Sequence, residues 1–214
     1  MSEGPVELLH RGIATLNLDL PAGTEEKLHA YLALLAKWNR TYNLTAVRGE
    51  AAMIVQHLLD SLAVLPHLQV DAVEITSLAD VGSGGGLPGI PLAIARPQLA
   101  VALVEASHKK ASFLQQAKIE LGLENVSVHC TRVEDMAMAA RFEAVISRAF
   151  SSLAEFVRQS AHQLAPGGRL LAMKGVHPQQ EIAQLPAGWR VVQSIPLVVP
   201  GLAAERHLIV IERT

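Results

Sequence analysis

Apolar residues recur at helical spacing through the first 70 positions. Leu28, Leu32, Leu35 and Trp38 fall on one stripe, and Ile54, Leu58, Leu62 and Leu65 on another. Both stripes read as helix sides turned to a core. Thr24, followed by Glu25, Glu26 and Lys27, reads as an N-cap with acids in the first turn. From about residue 75 short apolar runs alternate with helical ones. Strands are predicted at 75–81, 101–105, 126–130, 144–147 and 169–173, with helices at 89–95, 109–121 and 153–164 and a turn at Pro166-Gly167-Gly168. This alternation implies βαβ units and a parallel sheet covered by helices on both faces. The runs at 190–199 and 206–211 have no helix between them and are joined by Pro200-Gly201, so they are expected to pair antiparallel. The predicted organisation is a helical N-terminal extension, 1–70, packed on an α/β domain, 71–214.

Composition narrows the class. Half of the 214 residues are apolar, enough for a sizeable core. No run approaches the roughly 18 apolar residues of a membrane span. Met1-Ser2-Glu3-Gly4-Pro5 shows no basic segment leading into an apolar block, so no signal peptide is expected. The single cysteine, Cys130, excludes an internal disulfide and argues against a cysteine metal cage; it is expected to be a small core residue. The nine histidines show no metal-ligand spacing. A cytoplasmic protein with no membrane and no metal is expected. The net charge of −2 argues against broad nucleic-acid binding but leaves room for a local patch, for which Lys109, Lys110, Lys118, Arg40 and Arg48 are candidates.

The chemistry centres on residues 79–89, Ala-Asp-Val-Gly-Ser-Gly-Gly-Gly-Leu-Pro-Gly, between a predicted strand and a predicted helix. A glycine turn at a helix N-terminus is a nucleotide-type pocket, with free N–H groups beside the positive end of the helix dipole. Two registers are possible. Gly82-x-Gly84-x-Gly86 after Asp80 is the register of S-adenosylmethionine sites; Gly84-x-Gly86-x-x-Gly89 formally satisfies the dinucleotide fingerprint. The first is favoured, because Gly82-Ser83 would intrude on the second and Pro88 lies inside it. With the terminal hairpin, the outline is that of a Rossmann-like S-adenosylmethionine-dependent methyltransferase sheet. Glu105, at the end of the second strand, is placed to accept from a ribose diol, or else pairs with Lys109. Asp80 either faces the cofactor or caps backbone N–H groups. Backbone groups of Val133 and Glu134, in the loop after the third strand, could read an adenine. Ser147-Arg148-Ala149-Phe150 and Lys174-Gly175 end the fourth and fifth strands and open on the same rim.

Other constellations read as structure. His57, Asp60 and Ser61 hold the residue types of a hydrolytic triad, but no strained G-x-S-x-G elbow accompanies them. They are expected to form a hydrogen-bonded seam between extension and catalytic domain, lining the pocket. His129 and Cys130 are neighbours on a strand and point to opposite faces. Asn39 and Asn43 either cap the Trp38 helix or read an acceptor.

The ordered set Lys37-Trp38-Asn39, Asn43-Leu44-Thr45, His57-x-x-Asp60-Ser61, the glycine turn with Pro88-Gly89-Ile90-Pro91, Ser147-Arg148-Ala149 and Met173-Lys174-Gly175 closely resembles the bacterial small-subunit ribosomal RNA methyltransferase G family, also called the glucose-inhibited division protein B family. The match runs from about Trp38 to Gly175. Leu87 stands where a phenylalanine is expected, and Gly85 replaces a usual alanine. The resemblance implies S-adenosylmethionine-dependent methylation of N7 of a guanosine in 16S ribosomal RNA, free or in a small-subunit particle. It also implies cofactor contacts from Gly82, Leu87, Val133, Glu134 and Arg148. Asp80, Gly84 and Glu105 join that set from the residue reading. Arg132, Arg148, Lys174 and Asn39 are candidates for the RNA, and Phe150 is either a base platform near the acceptor or a core residue. Guanine N7 carries a lone pair and no proton, so positioning rather than a general base is expected, and no residue is assigned as base. The competing readings are a methyltransferase of a small molecule or protein, a nicotinamide-dependent oxidoreductase, and a non-catalytic RNA-binding assembly factor.

Overall fold

The computed structural model describes residues 4–70, 72–136, 141–148, 150 and 152–214. Met1, Ser2, Glu3 and the Ala149 of the Ser147-Arg148-Ala149 motif lie outside the described residues.

The N-terminal part is helical: α1 (Pro5–Thr15), α2 (Thr24–Tyr42), and then α3 (Glu50–Met53), a π-helical segment (Ile54–Leu59) and α4 (Asp60–Leu62) in one continuous stretch. The second apolar stripe is therefore not a plain α-helix. Ile54, Leu58, Leu62 and Leu65 are nevertheless all buried. The N-cap of α2 is Gly23, in the left-handed region, and not Thr24. Thr24 is the first helical residue, and its hydroxyl donates to the Pro21 carbonyl at 2.7 Å. A two-residue hairpin, β1 (Gln69–Val70) and β2 (Val73–Glu74), follows; it was not anticipated.

The α/β part runs β3 (Ser77–Val81), α5 (Gly89–Ala95), β4 (Ala100–Val104), α6 (His108–Glu120), β5 (Val126–His129), β6 (Phe142–Ser147), α7 (Leu153–Ser160), β7 (Leu164–Lys174), α8 (Gln179–Ala183), β8 (Trp189–Pro196) and β9 (His207–Arg213). The large sheet has the order β5-β4-β3-β6-β7-β9-β8. Strands β3 to β7 pair in parallel, whereas β9 is antiparallel to both β7 and β8, as the hairpin reading required. Pro166-Gly167-Gly168 is no separate turn. It lies in the first part of β7, where the register jumps from Phe142↔Leu164 to Ala144↔Arg169.

Alternate residues of each central strand serve different cores, because successive side chains leave a strand on opposite faces. Leu78, Leu103, Ile146 and Leu208 join a core shared with α2, α5 and α6. Their neighbours Ala79, Val104, Val145 and Ile209 join a second core with Phe156 of α7. The parallel strands end on one edge of the sheet, and the loops after β3, β4, β5, β6 and β7 carry the candidate residues to it.

Candidate active site

The glycine turn is built on the alternating register. Gly82, Gly84 and Gly86 have φ of 71°, 58° and 85°, in the left-handed region that favours glycine. At Gly86 a Cβ would also fall 2.4 Å from Ile90 Cδ1. Gly84 is open on its outer side, where an added Cβ would meet only the Gly82 carbonyl at 3.8 Å. At Gly85 a Cβ would come 3.1 Å from Leu35 Cδ1, a tight fit against α2 at the place where glycine replaces the expected alanine.

The expectation of free N–H groups needs correction. Those of Gly82 and Ser83 donate to the Val104 carbonyl, and those of Gly86 and Leu87 to the Ser83 carbonyl. The Gly84 N–H donates to Glu105 Oε2 at 2.9 Å. The N–H of Gly89, first residue of α5, donates to Asp80 Oδ2 at 2.9 Å. Asp80 therefore takes the capping role, and at 0 % exposure it sits behind the turn rather than on a ligand's surface. Burial pushes its carboxyl up to about 7, against the pull of the Gly89 N–H and the Arg148 guanidinium. Leu87 is also turned inward, its side chain buried in the main core, so only its backbone is left to face a ligand.

Glu105 is not paired with Lys109. Its Oε1 accepts from the Ser107 N–H at 2.8 Å and its Oε2 from Gly84. Each carboxylate oxygen retains a second lone pair at the rim between β3 and β4. Val133 is buried at the start of a 3₁₀ turn, Val133–Asp135. Beside it Glu134 and Arg132 are the more open, 3.8 Å apart with side chains 43 % and 71 % exposed.

The other half of the rim is a cavity of about 380 Å³ lined by His57, Asp60, Arg148, Lys174 and Arg206 among others. Asp60, 1 % exposed, is its hub. Its Oδ2 accepts from Arg148 Nη1 at 3.0 Å and its Oδ1 from Arg206 Nε at 2.9 Å. Arg148 Nη1 also donates to the Gln56 carbonyl at 3.2 Å. Arg148 is thus no surface ion pair: it compensates a buried charge on the N-terminal helices and has a structural part beside any contact with ligand. Lys174 Nζ lies 2.8 Å from Glu181 Oε2 and donates to the Phe150 carbonyl at 3.2 Å. His57 Nε2 and Thr45 Oγ1 are 2.8 Å apart. Burial holds the imidazole down at about 4, so it is neutral at pH 7. Of the seam expected of His57, Asp60 and Ser61, Asp60 makes the bonds that cross to the α/β part, to Arg148 and Arg206, while Ser61 Oγ donates to the His57 carbonyl at 2.6 Å within its own helical stretch.

The expectation for Cys130 is corrected, and the geometry favours the structural alternatives for Phe150, Asn39 and Asn43. Cys130 is exposed, not core, with Sγ 3.2 Å from His108 Nδ1. Phe150 packs its ring 5.2 Å from that of Phe156 against the second core, which leaves it a poor base platform. Asn39 is buried, and its Oδ1 accepts from the Thr45 N–H at 2.9 Å, tying down the chain beyond α2. Asn43 is the left-handed C-cap of α2. Arg206 and Tyr31 were missed. Arg206 had a signal: an antiparallel last strand must begin where its parallel neighbour ends, and His207 pairs with Lys174. Tyr31, whose hydroxyl donates to the Gly85 carbonyl at 2.5 Å, had none beyond its helical spacing from Leu28 and Leu35.

Among the described residues no cluster of His, Cys, Asp or Glu could hold a metal ion, and no helix is long and apolar enough to cross a membrane.

A family described as rRNA small subunit methyltransferase G matches residues 24–209. The chain is 60% identical over 209 residues to the ribosomal RNA small subunit methyltransferase G of Aromatoleum aromaticum, covering 96% of this chain and 97% of that one. It is 54% identical to the protein of that name from Nitrosospira multiformis, covering 98% of each. Among solved structures, the O-methyltransferase TomG of Streptomyces achromogenes in complex with SAM superposes with a TM-score of 0.59 over 96% of each chain, at 17% identity, which speaks for the fold alone.

Proposed function

This chain belongs to the rRNA small subunit methyltransferase G family, and from that premise we infer how its own residues serve the reaction. The chain is an S-adenosylmethionine-dependent methyltransferase of small-subunit ribosomal RNA, with a Rossmann-like sheet. The atom methylated, the residues that hold cofactor and RNA, and the form of the substrate are the proposal.

The carrying observation is the capped turn. A dinucleotide places its pyrophosphate on free N–H groups at a helix N-terminus. Here Asp80 takes the Gly89 N–H, and Glu105 takes that of Gly84. The Glu105 carboxylate beside the turn repels a pyrophosphate but suits a ligand carrying a sulfonium and an ammonium, and the buried Asp80 occupies the helix-terminal N–H that a pyrophosphate would use. The nicotinamide reading is therefore disfavoured. The open outer side of Gly84 and the Glu105 carboxylate at the neighbouring strand end fit S-adenosylmethionine. Gly82, Gly84, the backbone of Leu87, Glu105, Val133 and Glu134 hold it, with Arg148 at the boundary to the cavity. When bound, the cofactor supplies a methyl group already activated on sulfur.

The residues around the cavity position the acceptor. Guanine N7 needs no deprotonation, and the two groups best placed to act as bases are committed. Asp60 is held between two guanidiniums, and His57 is tied to Thr45. Catalysis is then alignment of N7 with the methyl group, a proximity effect. Arg148, Arg206 and Lys174, set against Asp60 and Glu181, leave the cavity a formal excess of one positive charge for an anionic nucleotide. N7 lies in the deep, narrow major groove of paired RNA, so the target is a splayed or loop guanosine. Arg132, exposed at the opposite side, meets RNA rather than cofactor. The enzyme acts in the cytoplasm, with residues 1–70 as an extension that braces domain 71–214.

Incubation with radiolabelled S-adenosylmethionine and unmethylated 16S rRNA, as free RNA and as small-subunit particles, tests this. Label is expected on a single guanine at N7. Label on a ribose or exocyclic atom would reassign the acceptor. No incorporation by folded, cofactor-bound protein would overturn the reading.

A further inference from the structure

The N-terminal helices carry a second concavity, separate from the cavity at the strand ends. It is a groove of about 800 Å³ between the C-terminal half of α2 and the start of α3, floored by Leu32, Ala36 and Met53. Lys37, Arg40 and Arg48 line it against the single acid Glu50. That is a local excess of positive charge in a chain whose net charge is −2. Lys37 and Arg40 are one helical turn apart on α2 and both are exposed. Among the described residues neither forms a salt bridge. Cations gathered without acidic partners repel one another, and an anionic ligand relieves that repulsion.

The groove and the catalytic cavity share a wall. Asn39 lines the groove, and its Oδ1 accepts from the Thr45 N–H at 2.9 Å. Thr45 Oγ1 is 2.8 Å from Nε2 of His57, which lines the cavity. Val47 faces the cavity, and the next residue, Arg48, faces the groove. Arg48 is itself braced on the Thr45 carbonyl. The stretch 43–49 is therefore a ridge with the reacting end on one side and a cationic groove on the other. A chain that crosses the ridge presents one unit to the cavity and its neighbours to the groove. Single-stranded nucleic acid matches that surface, with phosphates for the cationic rim and ring faces for the apolar floor.

We propose that this groove binds the RNA strand flanking the target nucleotide, with Lys37, Arg40 and Arg48 on its phosphates. The proposal rests on the rRNA methyltransferase reading and adds where the substrate's flank lies and which residues set its affinity.

The test compares Lys37→Gln/Arg40→Gln with Lys27→Glu in the full chain. Both change the net charge by the same amount, and Lys27 lies about 15–20 Å back along α2 at the usual helical rise. RNA affinity is measured against salt with unmethylated 16S rRNA, alongside S-adenosylhomocysteine affinity and methylation kinetics. The double variant is expected to weaken RNA binding and raise the KM for RNA by about tenfold. It should also reduce the slope of log K against log salt by about 1.4, two contacts on a single strand. Cofactor affinity and kcat should be unchanged, and Lys27→Glu should leave both RNA measures near wild type. Unaltered RNA affinity and slope in the double variant overturns the proposal, as does an equal loss in Lys27→Glu, which would mark a general field effect. A loss of cofactor affinity along with RNA affinity would also overturn it, by placing Lys37 and Arg40 in the support of the turn. Failure of the wild-type chain to bind or methylate the RNA would instead sink the rRNA reading itself.

Discussion

Two buried titratable side chains beside the site are displaced in opposite senses. Burial raises Asp80 from 3.8 to about 7 and lowers His57 from 6.5 to about 4. Between those limits the native state holds a proton on Asp80 that the unfolded chain has given up, so this group's contribution to stability falls as pH rises. His57 works the other way: the unfolded chain binds a proton that the native state refuses, so its contribution falls as pH drops from 6.5 towards 4. The two trends offset each other in the wild type. Asp80→Asn keeps an acceptor for the Gly89 N–H and removes one of them. Relative to wild type, this variant should lose stability on acidification from pH 6.5 to 4, by at most about 1.4 kcal/mol per pH unit. Urea melts across that range would measure it, and parallel pH profiles for the two proteins would refute it. At this scale residue types were legible and their partners were not. Asp80 and Glu105 stood out by their place at strand ends. That Asp80 caps, that Glu105 turns back to Gly84 and Ser107, and that Asp60 binds Arg148 and Arg206 are contacts of up to 146 positions' separation, beyond any local pattern.

The element with the widest reach is α2. Its stripe of Leu28, Leu32 and Leu35 was visible as a core-facing side, and all three are buried. What the stripe faces was not visible. Leu35 approaches Gly85, and the Tyr31 hydroxyl, its phenol raised by burial far above the usual range, donates to the Gly85 carbonyl. A helix outside the parallel sheet thus fixes the height of the glycine turn. Tyr31→Phe leaves that buried carbonyl without its donor, at a cost of about 1–3 kcal/mol. It is expected to lower the affinity for S-adenosylhomocysteine several-fold with the far-ultraviolet circular dichroism unchanged. Calorimetry showing wild-type affinity would remove α2 from that role. The second stripe held for burial but not for helix type, since the π-helical segment Ile54–Leu59 still turns Ile54 and Leu58 inward.

Across the whole molecule the N-terminal helices and one face of the sheet share a single core, in which Leu9, Leu28 and Leu62 cluster with Leu78, Leu103 and Leu208. The extension proposed for residues 1–70 is therefore expected to melt with the sheet, in one cooperative transition with coincident near- and far-ultraviolet signals. Two resolved transitions would show that it folds apart. S-adenosylhomocysteine at about 100 times its Kd should move that transition up by the equivalent of about 2.7 kcal/mol.

The sequence by itself determined the alternation of strands and helices, the sheet's antiparallel close, the glycine turn and the set of residues at the strand ends, because each of these follows from local periodicity and turn chemistry. Only the tertiary structure decided the rest. It showed Asp80 spent on a helix cap, Cys130 at the surface and Phe150 in the core. It brought Arg206 to the rim from the far end of the chain, and set a cationic groove one ridge away from the cavity. These depend on which surfaces meet when distant segments pack, and a one-dimensional pattern records each segment's faces but not its neighbours.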